Sequence, residues 1–105
     1  MIQREPNKIA KMASNPAAGI LGDTIEHYGL SQAEVARGMG VRPSLLNETL
    51  KGKRGVSVDL AMRAEAYFGM SAQLLVRLQA DYDFQKAYYA RGESIAAAVK
   101  PRAIA

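Results

Sequence analysis

An all-α domain of five helices is what this sequence predicts, on three observations. Apolar residues recur at spacings of three and four, as in Leu21, Ile25 and Tyr28 and again in Leu74, Leu75, Leu78 and Tyr82. Polar N-cap residues head these patterns at Asn15, Ser31, Ser57 and Ser71. Glycines close them at Gly29, Gly40, Gly69 and Gly92.

The elements follow in order. Residues 1–14 hold Pro6 with scattered Ile2, Ile9 and Met12, show no sustained period, and read as a flexible arm. Asn15-Pro16 starts the first helix, with Asn as cap and Pro at the first helical position. That helix runs to about Tyr28, and Gly19 and Gly22 inside it each weaken it by roughly 1 kcal/mol relative to Ala. Ser31 caps the second helix, and Glu34 three residues later completes a capping box. Leu30 and Val35 are spaced for a hydrophobic staple across that cap. Val35, Ala36 and Met39 form its apolar stripe.

Gly40 permits the positive φ of a tight turn, Val41 plugs the angle, and Pro43 opens the third helix. On that helix Leu46, Thr49 and Leu50 form the back. Ser44 and Glu48 form the front, flanked by Asn47, Lys51 and Leu45. A short companion helix, a glycine turn and a second helix with an apolar back and a polar front make a helix-turn-helix. In that motif the second helix enters the major groove and the first crosses the backbone. Arg42, Ser44, Asn47 and Glu48 therefore stand where base edges are met, and Pro43 beside them is counted with the DNA-binding residues. Gln32, Lys51, Lys53 and Arg54 stand where phosphates are. Gly52 and Gly55 bound the basic Lys53-Arg54 pair and let the backbone come close to a phosphate.

Ser57 caps the fourth helix, with Asp59 in its first turn and an inner face of Leu60, Ala61, Ala64 and Tyr67-Phe68. Ser71 caps a long fifth helix that reaches about Arg91. It carries more large apolar side chains than a small four-helix core can take. Leu74, Leu75, Leu78, Tyr82 and Tyr89 are accordingly assigned to a joint with a second copy of the chain, the alternative being that the helix simply closes its own core. The motif and its dimerisation helix thus occupy 15–91. Residues 92–105 form a tail whose Ile95–Val99 piece either continues the helix or frays, stopped by Pro101.

Composition excludes several classes. There is no cysteine, and His27 stands alone, so no disulfide framework, thiolate metal site or His-based triad can form. Asp81 and Asp83 are two apart and do not face each other on a helix. No catalytic constellation, metal or cofactor is expected. No apolar run approaches a membrane span and the N-terminus lacks the core of a signal peptide, so a cytoplasmic protein is expected. The net charge of +4 is unevenly spread: residues 30–55 carry +3, residues 15–29 carry −2, residues 56–90 carry −1, and each end carries +2. Positive charge on the motif and the ends fits a localised phosphate footprint.

From about Asn15 to Tyr89 the chain resembles the HigA-type antitoxins, a branch of the phage-repressor-like helix-turn-helix proteins. Leu30-Ser-Gln-x-Glu-x-Ala and Gly40-Val-x-x-Ser-x-Leu-Asn-Glu carry the broad likeness. Gly52-Lys-Arg-Gly-Val-Ser and Leu78-Gln-Ala-x-Tyr-Asp point to the antitoxin branch. The resemblance implies a small dimeric all-α protein that binds an mRNA-cleaving toxin of RelE-like fold. It also implies repression of its own operon through an inverted repeat in double-stranded DNA. A stand-alone phage-type repressor is the alternative. A protein-interaction module that has lost DNA binding is a third reading, to which Glu48 on the reading face lends weight. Against that, a glutamate can accept from cytosine N4 in the major groove.

Overall fold

Caps and glycines divide the chain into five helices in a computed structural model whose described residues are 12–103. They are α1 Pro16–His27, α2 Gln32–Met39, α3 Pro43–Leu50, α4 Val58–Phe68 and α5 Ala72–Ala98. The arm expected over residues 1–14 lies outside the described residues apart from its last three.

Each predicted cap is made. Asn15, Ser31, Ser57 and Ser71 accept from the backbone N–H groups of Ala17, Glu34, Leu60 and Leu74. Each thereby satisfies an orphan donor of the first turn. Gly40 and Gly69 end α2 and α4 in the left-handed region, at φ 71° and 79°. Arg63 reinforces the first of these ends from α4. Its Nη1 donates to the carbonyls of Met39 at 2.9 Å and Gly40 at 3.3 Å, while its Nε meets Asp59 at 2.8 Å.

Leu21, Val35, Leu46, Leu60 and Leu75 are fully buried and join the first four helices and the head of α5 in one core. Each such side chain contributes about 1.5–3 kcal/mol relative to exposure. Leu30 and Val41 pack against this core as staple and plug. Thr49, also fully buried, sends its hydroxyl to the Leu45 carbonyl at 2.8 Å, so the back of α3 buries no orphan polar group.

Two expectations about α5 change. The helix does not stop at Arg91: it passes Gly92 and ends at Ala98. A glycine stops a helix only where the chain turns left-handed; inside a helix it costs about 1 kcal/mol, which the following alanines offset. The stop is Pro101, which disfavours helix at the residue before it. Leu75, assigned to a joint between copies, is fully buried in the chain's own core, and Leu78 packs against that core. The first turns of α5 are needed to close the bundle over α1 and α4. Beyond Gln85 no residue of α5 is buried, and the molecule measures 56 Å along its longest axis against 24 and 21 Å.

Candidate nucleic-acid interface

The turn of the motif is fixed by backbone bonds. Gly40 N–H meets the Arg37 carbonyl at 3.2 Å and Val41 N–H meets Ala36 at 2.9 Å, so α3 leaves α2 at a set angle. Arg42 occupies the cap position of α3 with no side-chain cap bond, and Pro43 opens the helix. The Arg42 guanidinium is therefore not spent on the helix end. Arg42, Pro43 and Ser44 are exposed together at the N-terminal end of α3, and Asn47 and Glu48 continue that face half-buried.

Two side-chain pairs order the face. Asn47 donates to the Gln32 side-chain oxygen at 3.1 Å, joining α3 to the head of α2. With its oxygen engaged, the Gln32 amide offers N–H donors, the polarity a phosphate requires. At the other end of α3, Gly52 is left-handed at φ 78°, and Lys53 N–H returns to the Glu48 carbonyl at 2.9 Å. The chain doubles back, and Arg54 Nη2 meets Glu48 Oε2 at 3.1 Å. Both side chains are about half exposed, so this pair adds little stability, on the order of 0–1 kcal/mol. Its effect is on charge and aim. The Glu48 carboxylate is neutralised on the exposed side of α3, and Arg54 is drawn from the loop toward that helix. Lys51 and Lys53 both stay exposed beside it. Among the described residues no group of side chains could hold a metal ion.

The helix-turn-helix family model matches residues 24–75. Virulence-associated protein I of Dichelobacter nodosus is 33% identical over 75 residues, which cover 71% of this chain and 69% of that protein. The HTH-type transcriptional regulator YddM of Escherichia coli is 31% identical over 70 residues, 66% of this chain and 74% of the relative. The Pseudomonas aeruginosa antitoxin HigA, solved with the higBA promoter, superposes with a TM-score of 0.78 at 29% identity, over 90% of this chain and all of that one. The chain belongs to the helix-turn-helix family, in its HigA-type branch. A further Pseudomonas aeruginosa structure, of a protein in complex with its 18-bp operator DNA, matches with a TM-score of 0.77 at 28% identity and likewise covers 90% of this chain.

Within this HigA-type frame, all nine residues assigned to DNA come from the head of α2, from α3 with its cap, and from the loop that follows it. The pairing is what spacing does not reveal. Gln32 and Asn47, assigned to phosphate and base respectively, are bonded to each other, and so are Arg54 and Glu48. Two supporting residues also escape a reading by spacing. Arg63 looks like any exposed helix cation, yet it holds the α2 terminus. Gln79 sits among apolar spacings and is buried. Neither has a local signal, because the partners that matter lie more than twenty residues away in sequence.

Proposed function

We propose that this protein is a sequence-specific DNA-binding antitoxin of a toxin–antitoxin module. In this reading it acts in the cytoplasm as a homodimer, represses its own operon and neutralises an mRNA-cleaving toxin of RelE-like fold. The observation that carries the DNA reading is the ordered polar face itself. Arg42, Pro43 and Ser44 lie at the entry of α3, Asn47 is braced by Gln32, and Glu48 is braced by Arg54. The Pseudomonas relatives solved on promoter and operator DNA support it. One motif reads few base pairs. Two copies one helical turn apart, about 34–36 Å, read a palindrome. Leu74, Tyr82 and Tyr89 on α5 are the residues left to join them. Among the described residues no helix is long and apolar enough to cross a membrane.

A gel-shift with the duplex upstream of the protein's own gene tests the DNA half of the reading. A salt-sensitive, sequence-selective shift is expected, and equal affinity for a scrambled duplex would refute it. The toxin half is tested by co-expression with the neighbouring reading frame. A small basic RelE-like product whose toxicity this protein relieves is expected. A neighbour of another kind, with DNA binding intact, would favour the stand-alone repressor.

A further inference from the structure

One buried amide joins three parts of the chain that have no sequence neighbourhood. Gln79, on α5, is nine-tenths buried. Its oxygen accepts from Asn15 Nδ2 at 2.6 Å and from the Val56 backbone N–H at 2.8 Å. Its nitrogen donates to Asp83 Oδ1 at 2.9 Å. Both lone pairs of the oxygen are thus used, and the amide cannot turn over without breaking bonds on each side. Val56 is the residue at which the basic loop ends. At the loop's beginning, left-handed Gly52 and the Lys53 N–H bond to Glu48 fix the entry. Gly55 lies flat against the amide: a Cβ there would sit 2.8 Å from Gln79 Nε2 and 3.0 Å from Cδ. Between the two anchors Lys53 and Arg54 are exposed, at the rim of a polar cleft of about 340 Å³ that Gln79 also lines.

We propose that Gln79 is a positioning residue for DNA binding, which sets the height and direction of the Gly52–Gly55 loop so that Lys53 and Arg54 reach phosphate. The inference rests on the DNA-binding reading above and deepens it. A loop of four residues with a glycine at each end has wide backbone freedom. Losing that freedom on meeting DNA would weaken binding unless the loop were fixed beforehand. The oxygen of Gln79 fixes it at the Val56 end. Since α5 carries this amide, the loop's position is tied to the same helix that reaches away from the bundle. The glycine at 55 is then required by the approach of the amide, since its φ is not left-handed.

The test is a thermodynamic cycle on full-length protein, with a duplex of its own upstream region and a scrambled duplex, each titrated across salt. Gln79→Leu keeps the volume and removes both acceptor bonds. It is expected to lose about tenfold in affinity for either duplex and to flatten the salt slope by about 0.9 for each phosphate the loop no longer reaches. In a Lys53→Ala, Arg54→Ala background the same change is expected to have no further effect, because the side chains it aims are gone. A purely structural role would instead give a loss that adds to the loop variant. Gly55→Ala, which pushes the loop off the amide, should reproduce the flattened slope if Gln79→Leu does not fold by circular dichroism. Restoration of the wild-type slope is expected for Gln79→Glu combined with Asp83→Asn, where the carboxylate still accepts from Asn15 and Val56 and the new amide donates to it. A folded Gln79→Leu or Gly55→Ala protein with the wild-type slope, or strict additivity, overturns the role of Gln79 alone. A wild type that binds neither duplex overturns the DNA reading, and this inference with it.

Discussion

Ser44 and Glu48 stand at the front of α3 in different situations. Ser44 is exposed, whereas Glu48 is already held by Arg54. Ser44→Ala should therefore change preference at one base pair by about 1–3 kcal/mol, read by competition among operator variants. Glu48→Ala should do the same and also release Arg54, so it should raise non-specific affinity while blurring discrimination. If both variants ranked every operator variant as the wild type does, neither residue reads sequence. Lys53, by contrast, has only charge to offer. Lys53→Ala should weaken specific and non-specific binding together and reduce the salt slope by about 0.9. An unchanged slope, with loss of toxin binding instead, would assign Lys53 to the protein partner.

The helices themselves separate glycines that are needed from one that is not. Nothing lies within 4 Å of a Cβ placed on Gly19, and its φ is not positive. Gly19→Ala should stabilise the fold by up to about 1 kcal/mol, seen as a higher Tm. Gly38, in α2, lies under the ring of Tyr67 on α4, and a Cβ there would collide with it. Gly38→Ala should destabilise the wild type yet stabilise a Tyr67→Ala protein by about 1 kcal/mol, since only the propensity gain then remains. Equal effects in both backgrounds would mean that the Tyr67 ring is not what requires the glycine. The caps at Asn15, Ser31, Ser57 and Ser71 are legible in the sequence because a cap joins residues two or three apart. Gly92 is not legible in that way, because a glycine inside a helix and one just past it look alike in sequence; only the conformation of the chain distinguishes them.

At the scale of the molecule, the long helix divides into a part that closes the bundle and a part that does not. Leu75 belongs wholly to the first, so a joint between copies must use residues such as Leu74, 46% exposed, and Tyr89, 43% exposed. Leu74→Asp combined with Tyr89→Asp is expected to leave the helical content intact and to shift the protein to monomers by sedimentation, with binding reduced to half-sites. A wild type that sediments as a monomer while occupying a full palindrome would remove the need for any joint.

What the sequence determines by itself is local: five helices and their starts, the motif turn, and the positions along them of the nine residues proposed to meet DNA. Each rests on residues within a turn or two of each other, where spacing alone determines which side chains share a face. Tertiary structure decides the rest. It draws Leu75 inward, where an apolar residue serves a core as well as an interface and the sequence pattern is the same for both. It bonds Asn47 to Gln32 and Glu48 to Arg54, and places the Gln79 amide against Val56. Such bonds, above all those between distant residues, depend on how helices cross and loops return, and a one-dimensional period carries no record of the crossing.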